Sequence, residues 1–111
     1  MATSYKILGQ VATADSSSID VYKPGTSLQA IVSTITVCNT TTSDRTFSIS
    51  VRNADGDAIA AKNYLVRNTT SPANSTISYT LGITLAAGNR IAVSADGAGV
   101  AFGLFGTELD A

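Results

Sequence analysis

Few residues of this 111-residue chain are equipped for chemistry, and they are scattered. Histidine is absent, and Cys38 is the single cysteine. That removes the commonest general base and the usual Ser/His/Asp and Cys/His nucleophile systems. One thiol without an imidazole also cannot make an N/S zinc site within one chain. No intrachain disulfide can form, so stability must come from packing. The carboxylates are Asp15, Asp20, Asp44, Asp55, Asp57, Asp96, Glu108 and Asp110. Only Asp55 and Asp57 stand close in sequence, on a stretch that reads as a hairpin tip. A glycosidase pair must flank a cleft, roughly 5–10 Å apart. A calcium loop needs more oxygen ligands than two acids and a carbonyl. A solvated turn is the simpler reading. The expectation is a protein that is not an enzyme, with no cofactor, no metal and no small-molecule substrate.

The remaining candidates reduce in the same way. Gly97-Ala98-Gly99 and Gly103-Leu104-Phe105-Gly106 do not precede a helix whose N-terminus would hold phosphate. Turn geometry explains the first, close backbone packing the second. Asn39-Thr40-Thr41, Asn68-Thr69-Thr70 and Asn74-Ser75-Thr76 match a glycosylation pattern, but polar loops rich in Ser and Thr produce such matches by chance. Cys38 sits among apolar neighbours, where an inert thiol is the default. Tyr5, Tyr22, Tyr64 and Tyr79 are read as core or interface residues ahead of a sugar platform, because Trp is absent and Tyr79 has an apolar register. Arg45, Arg52, Arg67 and Arg90 outnumber the lysines, and Arg favours protein interfaces.

Whatever the chain binds must be presented by strands. Apolar stretches are short and bounded by Gly, Pro, Asn and Asp every 8–12 residues or so, the rhythm of a sandwich or barrel. Residues 46–52 alternate strictly: Phe47, Ile49 and Val51 to one side, Thr46, Ser48, Ser50 and Arg52 to the other. Ile77, Tyr79 and Leu81 repeat the pattern, then Ile91, Val93 and Ala95, then Val100, Phe102 and Leu104. Residues 27–39 differ. Ile31, Ile35 and Val37 share one parity and Leu28, Ala30 and Val32 the other, so this strand reads as apolar on both faces. Such a strand is central, or its second face meets a partner chain. Weaker strand candidates cover residues 5–11, 18–22 and 58–66. Lys23-Pro24-Gly25-Thr26 fits a type II turn with Gly25 at positive φ. Residues 53–57 read as a hairpin loop, and 40–44 and 68–74 as longer polar loops. The expected fold is all-β: one antiparallel, jelly-roll-like sandwich of seven or eight strands over residues 1–111. Residues 1–17 serve either as its first strand or as an arm to a neighbour.

Composition points to contact with protein. Charged residues are only 14 % and net charge is −1, while 13 Ser and 15 Thr supply about a quarter of the chain. Few charges need desolvating on such a surface. A basic stripe for nucleic acid is lacking, as are a polybasic anchor and an apolar run of membrane-spanning length, so neither nucleic acid nor membrane is an expected partner. The N-terminus lacks the charged head and apolar stretch of a secretory signal, so synthesis in a reducing cytoplasm is expected.

Four segments, taken in order, resemble small virion proteins of tailed bacteriophages, the cyanophage and marine phage type. They are Tyr5-Lys6-Ile7-Leu8-Gly9-Gln10, Val32-Ser33-Thr34-Ile35-Thr36-Val37-Cys38-Asn39, Leu81-Gly82-Ile83-Thr84-Leu85-Ala86-Ala87-Gly88-Asn89 and Phe102-Gly103-Leu104-Phe105-Gly106. Residues 85–93 also look like the penultimate hairpin of trimeric jelly rolls, with Asn89 where that pattern usually has Asp. The resemblance implies a non-enzymatic structural protein, present in many copies on a particle made in a bacterial host. The leading expectation is a capsid decoration (cement) protein, a homotrimer bridging major capsid subunits. Its candidate interface is Leu28, Ala30, Val32, Tyr5 and Ile7. A tail, neck, baseplate or fibre component is the runner-up, separated by copy number. A host-surface carbohydrate-binding module is the third, removed by an empty glycan array.

Overall fold

The computed structural model describes residues 3–54 and 58–110. Eight strands run through them: β1 Thr3–Ala12, β2 Ile19–Tyr22, β3 Leu28–Asn39, β4 Arg45–Arg52, β5 Tyr64–Ser71, β6 Thr76–Leu85, β7 Arg90–Ala95 and β8 Val100–Asp110. A short 3-10 turn, Ala61–Asn63, is the only helical piece among the described residues. The strands make two antiparallel sheets, ordered β1-β8-β3-β6 and β2-β7-β4-β5. Every connection except β4 to β5 changes sheets, which produces the two Greek keys of a jelly roll. The chain is therefore an antiparallel β-sandwich of eight strands.

The alternation of the strands fills the space between the sheets. Phe47 and Ile49 meet Ile91, Val93, Val100, Phe102 and Leu104, all nearly inaccessible. Phe47 sits at the centre, its ring 6.1 Å from that of Phe102 and 6.3 Å from that of Tyr79. Each fully buried side chain of this size stabilises the fold by roughly 1.5–3 kcal/mol.

Strand β3 turns all its apolar side chains but Ile31 and the half-buried Leu28 and Cys38 to the core, a correction to the two-faced reading. Val32 pairs with Gly106 of β8, and Thr34 with the adjacent Phe105, so Ser33 is an extra residue in the ladder. The bulge flips the parity of everything after it. Ala30 and Val32 before it and Ile35 and Val37 after it all point into the core, at 0–1 % exposure. Gly106 lies on the same row, packed against the β3 backbone. The close approach expected of the Gly103 and Gly106 segment is thus present at Gly106.

Three other local expectations shift. Gly25 does not take positive φ; Ser27 does, at 65°, and the Leu28 amide donates to the Gly25 carbonyl, so the turn lies two residues later. The weak strand candidate at 58–66 gives way to β5, Tyr64–Ser71, which takes in much of the expected polar loop. Asn63 explains the delay. Its side chain accepts from the Ala60 amide and donates to the Val51 carbonyl, holding a 3-10 turn ahead of the strand. Residues 3–12 form the expected first strand: β1 pairs with β8 from Thr3 to Ala12. Finally, the polar side of β4 is not wet throughout, since Ser48 and Ser50 are buried. The Ser48 hydroxyl accepts from the Asn68 amide where β5 kinks at positive φ.

Candidate functional site

The residues considered for chemistry do not converge. Tyr79 packs into the core against Phe47, Tyr64 lies under the Arg67 guanidinium at 5.0 Å, Tyr22 bonds Glu108, and Tyr5 stands in solvent. Asp55 and Asp57 fall outside the described residues. Asp20 pairs with Arg52 and lies 3.8 Å from Arg90, on the sheet that holds β2 and β7. Among the described residues, no three Cys, Asp or Glu come together as a metal-binding group. Cys38 is half-buried.

Asn39 is a different case. It is completely buried and uses both ends of its side chain. Its amide donates to the carbonyls of Ser43 (2.8 Å) and Ser71 (2.9 Å), and its oxygen accepts from the Thr41 amide and hydroxyl. It therefore joins the β3–β4 loop to the end of β5. The Gly99 amide donates to the Thr13 carbonyl, the Thr13 amide to the Val100 carbonyl, and the Thr40 amide to the Gly99 carbonyl. One end of the sandwich is thus a bonded cap. The glycosylation-like pattern at Asn39 has this structural use.

At the opposite end the two sheets are latched by a hydrogen bond to a carboxylate that is also ion-paired within its own sheet. Glu108 of β8 accepts from Tyr22 of β2 and pairs with Lys6 of β1. The Lys6 hydrogen bond, then the Tyr22 hydrogen bond, hold the Glu108 carboxyl below its ordinary value of 4.5, against a smaller opposing effect of burial. Burial first, then the Glu108 contact, raises the Tyr22 phenol above its ordinary 10.0. The consequences for stability have definite signs. A depressed folded pKa means the unfolded chain takes the proton first as pH falls. The Glu108 contribution is therefore whole above pH 4.5 and lost below it, as pH falls through the folded value. The raised phenol acts oppositely: its contribution is whole below pH 10.0 and lost above it. Urea titrations of wild type and Glu108→Gln across these ranges should show a steeper acid loss for wild type. Parallel acid slopes would refute the latch.

The surface that stands out is the outer face of the β1-β8-β3-β6 sheet. Register places Tyr5, Thr107, Ile31 and Thr84 in one row across the four strands, and Ile7, Phe105, Thr34 and Thr80 in the next. Tyr5 is 84 % exposed, Ile7 56 % and Ile31 40 %. None of the outward positions of these strands, among the described residues, is Asp, Glu, Lys or Arg. The charged Lys6 and Glu108 point to the other side, into the mouth of the sandwich. Interface cores have this composition, depleted in charge and enriched in aromatics. A groove of about 500 Å³ opens at one corner, lined by Gln29, Ile31, Thr84, Ala86, Asn89 and Leu109 among others.

The five candidate interface residues are divided by this geometry. Tyr5 and Ile7 lie on the exposed face. Ala30 and Val32 are buried by their own chain, so they cannot form a seam between chains; the parity flip at Ser33 is the cause. Leu28 is half-buried at the start of β3. Ile31, assigned from sequence to the core side, takes the exposed place instead. A serine in a β-branched run was the only signal of the bulge. Asn89 also shows why Asp is replaced in the hairpin pattern. Its oxygen accepts from the Ala86 amide, as Asp would, while its amide donates to Asn53, which a carboxylate cannot do.

The architecture defines the chain as a jelly-roll sandwich. No family profile and no curated protein sequence matches it. Solved structures with a similar fold include a chain of the T13 particle of IBDV, infectious bursal disease virus. Its TM-score is 0.58 at 7 % identity, covering 96 % of this chain and 30 % of that one. The Gx strain of infectious bursal disease virus gives 0.57 at 8 % identity, covering 96 % and 32 %. The chain thus spans about a third of the length of these solved chains. What is shared is the fold. A pentameric capsid protein isolated from metagenomic phage sequences overlaps at a TM-score of 0.42 and 16 % identity, over 92 % of this chain and 61 % of that one, a value from which no common fold follows.

Proposed function

We propose that this chain is a non-enzymatic structural protein of a virus particle, and that it serves as a decoration or cement subunit binding the outer shell. The observation that carries the reading is the uncharged outer face of the β1-β8-β3-β6 sheet, with Tyr5, Ile7 and Ile31 exposed upon it. A flat face of this chemistry is stable in water only at a cost, and covering it with protein removes the cost without stripping charges of their hydration. The setting is taken from fold analogy, since the jelly roll is shared with chains of a viral particle. The resemblance of the sequence to virion proteins of tailed phages favours a phage shell. The mechanism is mechanical. Modest apolar and hydroxyl contacts bridge neighbouring subunits, and repetition over the particle makes them strong together.

Quantitative mass spectrometry of purified particles tests this. A decoration protein should occur in numbers that scale with the shell subunits. A handful of copies per particle would move it to the tail or neck, and absence from the particle would end the reading.

A further inference from the structure

We propose that β1 is an exchangeable arm: residues 3–13 of one copy leave their own seat and occupy the same seat on a second copy. The inference concerns the chain alone and holds whether or not it belongs to a particle. On a shell, the exchange would tie neighbouring copies together.

The arm is held by few apolar contacts. It is an edge strand, laddered to β8 alone. None of its side chains is buried, and residues 3–7 are all exposed. Leu8 and Val11 touch the core only as half-buried residues at its rim. Its polar links run to β8 and to the turn before it. Lys6 pairs with Glu108, and the Thr13 hydroxyl donates to the Gly97 carbonyl and accepts from the Val100 amide. Lifting the arm therefore uncovers little apolar surface, and such an edge opens ahead of the rest of the fold. A hinge lies behind it. Residues 14–18, Ala-Asp-Ser-Ser-Ser, are all exposed, and the bond from the Ser17 amide to Asp15 stays within them.

The fit of the seat selects a second copy as the occupant. A Cβ at Gly9 would lie 2.7 Å from the Val21 carbonyl oxygen, so a strand laid there needs glycine at that point. The ladder slips one residue between Ile7 and Gly9, so the strand also needs a bulge just before it. Glu108 takes a cation three residues ahead of the glycine, and the turn at Gly97 to Val100 takes a threonine four residues after it. Residues 3–13 of another copy supply all four features at these spacings. The contacts made are those already present in one chain, so the exchange neither gains nor loses them. Concentration and the hinge decide the balance. A short flexible tether keeps an arm at its own seat with an effective concentration on the order of millimolar. Dilute protein is therefore closed, and exchange sets in as the protein approaches that concentration.

The test traps an exchanged arm between two chains. Tyr5 faces Thr107 across the ladder, and Ala12 faces Ala101. In a Cys38→Ser background, Tyr5→Cys and Thr107→Cys are placed on separate chains, as are Ala12→Cys and Ala101→Cys. Each pair is mixed, unfolded together in urea so that every arm chooses a seat, refolded and oxidised. At about 1 mM protein, both matched pairs should give disulfide-linked heterodimers well in excess of either homodimer, and at about 10 μM very few. The mismatched pair, Tyr5→Cys with Ala101→Cys, should link no better than chance, because the register puts those positions roughly 20 Å apart. Matched pairs that give no excess of heterodimer at the high concentration would overturn the proposal. So would a mismatched pair that links as readily, since copies then meet by their faces without trading strands.

Discussion

Asn39→Asp should destabilise the protein by at least about 3 kcal/mol, although the two side chains have nearly the same shape. Asn39 is fully buried, and its amide satisfies the carbonyls of Ser43 and Ser71. A carboxylate keeps the bonds from Thr41 but turns both donated bonds into oxygen–oxygen repulsion. Leaving a buried polar group unsatisfied costs about 1–3 kcal/mol, and here two carbonyls are affected while a charge enters a buried site. For a domain of this size, each kcal/mol is worth about 4 °C or more, so the melting point should fall by roughly 12 °C or more. The pH dependence separates this cause from simple misfit. Burial and the facing carbonyls raise the pKa of the introduced carboxyl in the folded state. A raised folded value favours the fold at pH below the unfolded pKa of about 4, where both states are protonated and the carboxylic acid can donate one of the lost bonds. The deficit should shrink as pH falls toward that value and be largest near neutrality. Thermal melts followed by circular dichroism will show it. A deficit unchanged by pH, or a melting point within a few degrees of wild type, would refute the role given to Asn39.

Gly106→Ala should be at least as damaging, and by a different route. A methyl group built at Gly106 lies 2.0 Å from the carbonyl oxygen of Ile31, 3.0 Å from its carbon and 3.1 Å from the Cα of Val32. All three are backbone atoms of β3, so no rotamer change relieves the contact. The β3 and β8 strands would have to part, and they are the two central strands of their sheet. Overpacking costs about 1–3 kcal/mol when side chains can yield, and more is expected where only backbone can move. That approaches the whole stability of a small domain, about 5–15 kcal/mol. The variant should be recovered mostly insoluble, or should unfold at much lower urea. Gly82→Ala is the control, because nothing lies within 4 Å of a methyl group there. It should leave the urea midpoint nearly unchanged, or raise it slightly by restricting the unfolded chain. Equal midpoints for the two variants would show that the β3–β8 approach is looser than the geometry requires.

The two positions differ in how far sequence discloses them. The Gly103 and Gly106 segment suggested close packing, because glycine within an apolar strand has little other use. Asn39 looked like part of a polar loop, and nothing local marks it as the centre of a cap. Ser43 follows four residues on, in the adjoining loop, but Ser71 is brought to it only by the packing of distant strands.

The division is sharpest between strands. Phe47, Ile49, Ile91, Val93, Val100, Phe102 and Leu104 were legible as core because an unbroken strand alternates with period two, a property of a single chain. So were the all-β class, the sandwich and the paucity of charge, which composition carries. Strand β3 and the candidate interface were not legible in this way. A bulge is a mismatch between two strands, Ser33 facing a shorter stretch of β8, and neither strand states it alone. The side to which Ile31 or Val32 points depends on that count of partners. Local residue chemistry thus determined what the chain is made of and that it pairs into sheets. Long-range pairing decided which of its greasy side chains are shut inside and which, like Tyr5 and Ile31, are left exposed.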